Sequence, residues 1–298
     1  MKEEAEAAGW NVRIIDPLKL SIVVDDDGGR LLHKGWPIDC DAVIPRIGHS
    51  ITRRGVSVVR AFERMGVIVL NKGDGIQSSR DKLLASQKMN EGGVPIPTTA
   101  QVGTWQDTRR AVSRVGGTPC VIKTNEGTHG SGVFLAHTEQ QARQLVYQML
   151  ERGLRPLVQE YIRESHGQDI RAFVVGGKVV ASMRRKAKGS EFRSNFHLGG
   201  EVEKLSITGE YAEIACKAAE ILGLEIAGVD MLESERGPLV LEVNSSPGLE
   251  GIEAASGVNV ANRIISNLAS LYKSRQEAEE KQRISRSQGG DEEAKGNA

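Results

Sequence analysis

The chain has 298 residues, of which 39% are hydrophobic and 26% charged, and its 39 Lys+Arg balance 39 Asp+Glu to a formal net charge of zero. This is globular composition, long enough for two or three compact units. The neutral balance and 4% aromatic content argue against a protein built mainly to grip nucleic acid or an anionic membrane. The three cysteines, Cys40, Cys120 and Cys216, lie far apart with no CxxC or Cys/His spacing, so neither a disulfide framework nor a zinc site is indicated. A reducing cytoplasm fits best, and without an apolar run of leader or membrane-span character neither export nor a membrane is expected.

Residues 1–8 read as the end of a helix closed by Gly9, and residues 11–15 (NVRII) as the strand that follows. A parallel βαβ unit places a strand before such a helix, so the first unit reads as truncated, with a strand expected upstream. Residues 42–45 (AVIP) and 67–70 (VIVL) are short strands around a helical stretch at 56–65, giving a small Rossmann-like α/β domain over residues 1–75. After a cap at Ser78, residues 80–90 form a helix stopped by Gly92-Gly93 and Pro95. Residues 121–123 (VIK) are a strand entering a glycine-rich loop at 126–132, residues 139–152 a helix, and residues 157–162 (LVQEYI) a strand. Strands at 171–175 and 178–184 flank Gly176-Gly177, a two-residue hairpin signal. A helix at 211–222, a second hairpin at 226–232 and 238–243, and a last helix at 258–272 complete an α+β domain over residues 76–272. Residues 273–298 are charged and almost free of large apolar side chains, and read as a disordered polar tail, helical at most at its start.

The second hairpin carries the sharpest chemistry. Side chains alternate along a strand, so Glu242 and Asn244 share one face while Leu241 and Val243 share the other. With the hairpin turning around Arg236, Asp230 falls opposite Glu242. Like charges facing across a ladder are unfavourable unless a cation lies between them, and Asp, Glu and Asn are hard oxygen donors suited to Mg²⁺. Each of the three alone is compatible with an ordinary solvent-facing hairpin; together they favour a metal site. Lys123 ends a strand ahead of Gly127, Gly130 and Gly132, where backbone N–H groups could close over phosphates, although the segment is not a P-loop and alone could be a flexible turn. The basic run Arg184, Arg185, Lys186, Lys188, with Arg193 after it, is a solvated hairpin end or an anion contact. The six histidines show no ligand spacing and no nucleophile triad.

In order along the chain, AVIPRIG, RDKL, EGTHGSGV, VQEYI, DIRAFVVG, RRKAKGSEFRSN, AGVDML and LEVNSSPGLEGIE resemble the RimK family of ATP-grasp glutamate ligases, over residues 11–272. The resemblance implies an ATP-grasp fold with a nucleotide clasped between two subdomains. It implies that Lys82 and Lys123 contact the phosphates, that Glu160 and Tyr161 line the adenine pocket, and that Asp169 holds the ribose. Arg193, Ser194 and Asn195 would contact the nucleotide, with Arg193, Lys123 and Glu242 serving the chemistry. Asp230, Glu242 and Asn244 would hold two Mg²⁺ ions, or Mn²⁺, with Glu242 between them. Arg184 and Arg185 are weaker candidates for substrate carboxylates. The implied activity is acylphosphate-mediated addition of L-glutamate, in the best-known member to the C-terminus of the sixth small-subunit ribosomal protein, by a cytoplasmic enzyme that self-associates. A ligase for another amino acid or for a small or carrier-protein acceptor, and a nucleotide-binding regulator without ligase activity, are the alternatives.

Overall fold

The computed structural model describes residues 1–26, 28–125, 132–188 and 201–295. α1 (Lys2–Ala7) ends at Gly9, whose φ of +86° is open to glycine. β1 (Leu20–Asp25), β2 (Gly28–His33) and β3 (Trp36–Pro37) form an antiparallel sheet. The sequence reading passes over this sheet, although the apolar run before Gly28-Gly29 carries a hairpin signal. The expected strand at 11–15 does not form: those residues join no ladder, and Arg13 instead donates to the Asp39 carbonyl at 2.7 Å. A strand exists only through its neighbour, and the parallel pair here, β4 (Ala42–Val43) with β5 (Ile68–Val69), is two residues deep. α2 (Thr52–Arg64) buries Val56, Val59 and Phe62 against Leu20, Leu31 and Ile76.

α3 (Gly73–Arg80) and α4 (Lys82–Glu91) follow almost without a break. The expected cap at Ser78 lies inside α3. Asp81 caps α4 instead, its carboxylate accepting from Leu84 N at 3.0 Å while its own backbone is extended between the two helices.

Two larger sheets follow. The first comprises β6 (Thr99–Gln101), β7 (Cys120–Thr124), β8 (Val133–Ala136) and β9 (Pro156–Glu160), in the order β6-β9-β7-β8. Cys120, Ile122 and Val158 on one face pack against Ala111 and Val112 of α5 (Thr108–Arg114) and Ala142 and Val146 of α6 (Glu139–Glu151). By the same alternation, Lys123 and Gln159 project from the opposite face.

The second sheet has five antiparallel strands, β10 (Gln168–Val175), β11 (Lys178–Lys186), β12 (Glu201–Lys204), β13 (Ile226–Ser234) and β14 (Gly237–Asn244), in the order β12-β11-β10-β13-β14. Gly176 and Gly177 both have positive φ, as a two-residue hairpin turn requires. Ile170, Ala172, Val174, Val229 and Val240 bury one face under α7 (Glu210–Ile221). Phe173, Val175 and Ala181, on the other face, meet Ile252 of α8 (Glu250–Ser256) and Val260 and Ile264 of α9 (Val260–Lys295). Asp169 and Arg171 share that second face with Phe173 and Val175, so one half of it is apolar and covered while the other is charged.

The tail expected to be disordered from residue 273 is instead the continuation of α9 to Lys295. Its composition of Glu, Lys, Arg, Gln and Ala has high helix propensity, and the ion pairs Lys273–Glu277 and Arg275–Glu279 bridge successive turns. No helix among the described residues is long and apolar enough to cross a membrane.

Candidate active site

The register of β13 and β14 decides which oxygens meet. The turn between them is the two-residue Glu235-Arg236, with Ser234 paired to Gly237. A regular ladder from that turn would set Asp230 opposite Leu241. Leu241 is skipped, however, between the pairs Met231–Val240 and Asp230–Glu242, and this bulge brings the two carboxylates opposite each other, with Asn244 two residues on, across from Gly228. The expected pairing is therefore present, by a bulge and not by a turn centred on Arg236.

Asp230 is already ringed by positive charge. Arg171, opposite it on β10, donates Nε to Oδ1 and Nη2 to Oδ2, both at 2.7 Å, and Arg185 approaches Oδ2 at 2.8 Å. Arg185 also forks onto Asp169 at 2.6 and 2.7 Å. Burial raises the Asp230 carboxyl, and the two guanidiniums outweigh it, so the group sits below the usual carboxylate range. For Arg185, burial works against the charge, but Asp230 and Asp169 more than restore it. The four groups form a neutral buried lattice: Asp169, Arg185 and Asp230 are all less than a tenth exposed. Arg185, one of the two weaker candidates for a substrate carboxylate, thus has its Nε and Nη2 engaged inside the sheet at 4% exposure. Arg184 is likewise engaged, with Glu233 at the sheet's edge.

Lys123, the strand-ending lysine, is buried at 5% exposure and donates to Gln159 Oε1 at 2.9 Å, and Gln159 in turn donates to Thr99 Oγ1 at 2.8 Å. Burial lowers its ammonium, Lys82 lowers it further and Glu242 partly restores it, leaving a value of about 8. Lys82 opens α4, where Asn125, just beyond β7, receives Lys82 N and Leu83 N on its two oxygens. Arg80, Lys82, Glu242, Asn244 and Ser245 line one small open recess. The cations of α3, α4 and β7 thus converge on Glu242, whereas Asp230 has its own compensation.

Three oxygen donors suit a hard divalent ion. Among the described residues, Asp230 Oδ1 accepts from Arg171 Nε, Glu242 lines the recess, and Asn244 Oδ1 accepts from Ser246 N at 3.0 Å. Among the described residues no three Asp, Glu, His or Cys side chains cluster, so an ion here would complete its shell with Asn244, substrate oxygens and water, as Mg²⁺ commonly does. Glu160 ties the two sheets together, accepting from Arg236 of the β13–β14 turn at 2.6 Å and from Thr98 N at 3.0 Å. Burial raises its carboxyl, and these donors bring it below the usual value. Tyr161, next in the chain, bonds His166. Arg193, Ser194 and Asn195, with Gly127 and Gly130, lie outside the described residues.

The sequence reading missed Arg171, which shares the face of Asp169 by simple alternation, and Arg80, which sits inside RDKL. It also missed Asn71, a buried side chain bonded to Ile226 N, Ile226 O and Ser245 O at 2.6–2.9 Å, which pins the base of the β13–β14 hairpin to the N-terminal domain.

A recess where Lys82 of α4 meets Glu242 and Asn244 of β14, with the buried Lys123 of the other sheet near enough to feel the charges of Lys82 and Glu242, defines an enzyme of the ATP-grasp class. The sequence matches the RimK-like ATP-grasp domain over residues 79–268 and the RimK PreATP-grasp domain over residues 1–76. It is 47% identical over 264 residues to a probable alpha-L-glutamate ligase of Aeromonas salmonicida (strain A449), covering 88% of this chain and 89% of that one. A protein of the same description from Legionella pneumophila (strain Corby) is 47% identical over 267 residues, covering 89% and 88%. Among solved structures, the ATP-grasp ligase PsnB complexed with minimal precursor superposes with a TM-score of 0.70 at 19% identity, over 90% of this chain and 93% of that one. The chain belongs to the RimK family and is an ATP-dependent ligase that forms carbon–nitrogen bonds.

Proposed function

We propose that the protein adds L-glutamate to a carboxyl group of a protein acceptor, with the C-terminus of the sixth small-subunit ribosomal protein as the foremost candidate. The observation that carries this reading is the convergence of Lys82 and Lys123 on Glu242 and Asn244, in a chain 47% identical to proteins described as probable alpha-L-glutamate ligases.

In this reading residues 1–75 and 76–272 act as two domains, with ATP between the sheets of the second. Lys82 and Lys123 hold its phosphates; Glu160 and Tyr161 border the base, Asp169 the ribose, and Arg193, Ser194 and Asn195 the nucleotide's outer side. Asp230, Glu242 and Asn244 would hold Mg²⁺, as one ion or two, which supplies charge neutralisation at the transferring phosphoryl group. Arg171 and Arg185 fix the Asp230 carboxylate so that its Oδ1 keeps one direction. An acceptor carboxylate attacks the γ-phosphorus, giving an acylphosphate and ADP. The amine of glutamate then attacks the acyl carbon, phosphate leaves and the amide forms, with one proton released. The protein's share is positioning and stabilisation of negative charge, without a covalent enzyme intermediate.

The test is ADP release with Mg²⁺ and ATP, with and without L-glutamate, followed by intact-mass analysis of the ribosomal acceptor. Glutamate-dependent ADP with glutamyl mass steps supports the reading. ADP with a different amino acid only, or none, overturns it.

A further inference from the structure

Two arginines at the junction with the N-terminal domain have no carboxylate bonded to them among the described residues. Arg46 donates Nη2 to the Pro247 carbonyl at 2.6 Å, and Arg80 donates Nη2 to the carbonyl of Ile47, the residue after Arg46, at 2.7 Å. The first bond draws Arg46 to the loop that follows β14, and Arg80 lines one recess with Ser245 of that loop. Arg80 Nε is buried without a hydrogen-bond partner, and so is the hydroxyl of Ser245, which lines the same recess and is 3% exposed. Buried polar atoms are rarely left unpaired, and each costs free energy until a partner arrives.

Burial lowers the Arg46 guanidinium, with no neighbouring charge to restore it; it lowers Arg80 too, and there Glu242 gives partial compensation. In the proposed reaction Glu242 is committed to Mg²⁺. The part-buried Arg80 is then left beside the Ser245 hydroxyl, in the recess it shares with Lys82, Glu242 and Asn244, while the Arg46 guanidinium is held at Pro247, two residues further along the same loop. A planar carboxylate matches a guanidinium fork and can take a hydroxyl as well.

We propose that Arg46 and Arg80, backed by Ser245, are the seat of the acid substrate's C-terminal carboxyl group, so that the N-terminal domain supplies one side of the acceptor site. This rests on the ligase reading above and deepens it. It also gives a reason for the docking of the two domains through the Arg46–Pro247 and Asn71–Ser245 bonds: the seat exists only when they meet.

The experiment is calorimetric titration of the full chain, loaded with Mg²⁺ and a non-hydrolysable ATP analogue, with the peptide Glu-Glu-Glu-Glu carrying either a free or an amidated C-terminus. Wild type is expected to bind the free acid at least tenfold more tightly than the amide. Arg80→Lys keeps the charge but loses the fork, and should weaken the free acid roughly tenfold or more while changing analogue affinity less than twofold. Ser245→Ala removes a hydroxyl that bonds nothing in the protein, leaves the fold unstressed, and should weaken the free acid by a few-fold. Equal binding of acid and amide, unchanged affinity in both variants, or an equal loss of the nucleotide analogue in Arg80→Lys would each overturn the seat. Binding here without glutamate-dependent ADP release would leave the seat standing and refute the glutamate reading alone.

Discussion

Arg185→Met tests the buried charge lattice. The side chain is 4% exposed and makes three short contacts, two to Asp169 and one to Asp230, so solvent screening takes little from them. Methionine fills similar volume and takes away the cation that bridges two buried carboxylates. Breaking a buried pair by removing one partner costs about 3–5 kcal/mol, a large part of a typical stability of roughly 5–15 kcal/mol. In a chain of this size that corresponds to a fall of about 5–15 °C in Tm, measured by circular dichroism. The acid limb should move as well. Asp230 is held below its ordinary value, so its contribution is complete above the unfolded value of about 4 and is lost as pH falls through the folded one. Without Arg185 the folded value rises, and acid unfolding begins at higher pH. Asp169→Asn in the same chain should recover part of the loss, because it removes one of the two carboxylates that faced Arg185. A Tm within 2 °C of wild type, together with an unmoved acid limb, would refute the reasoning.

Asn71→Ala removes a side chain that serves three buried backbone groups and should cost about 3 kcal/mol or more, with hydrogen exchange at the Ile226 amide accelerating first; full protection there would count against its pinning role. Lys123, at about 8, binds fewer protons folded than unfolded between about pH 8 and 10.5, so its contribution to stability rises with pH over that window. ATP-analogue affinity should instead fall as pH rises through about 8, and Lys123→Met should bind more weakly with that dependence gone; a titration from pH 7 to 9.5 decides it. Glu242→Gln should abolish ADP release with Tm nearly unchanged, and wild-type rates in that variant would remove the proposed metal site.

Alternation of period two carried much of the site into view without coordinates. Glu242 and Asn244 share a face because strands pleat, Gly176-Gly177 turns because both positions need positive φ, and residues 139–152 announce a helix by their spacing; each depends on residues close in the chain. What sequence left open was decided by contacts between distant segments. The skipped Leu241 sets Asp230 against Glu242, and nothing local to β13 or β14 announces it. Residues 11–15 have the apolar content of a strand but find no ladder, and residues 273–295 lack a core yet stay helical. Arg185 resembled a surface cation until Asp169 and Asp230 closed around it, and Arg46 and Arg80 gained meaning only when the N-terminal domain met the loop after β14. Local sequence determines period and turn, because those energies act over a few residues; burial, charge pairing and register belong to groups that folding alone brings together.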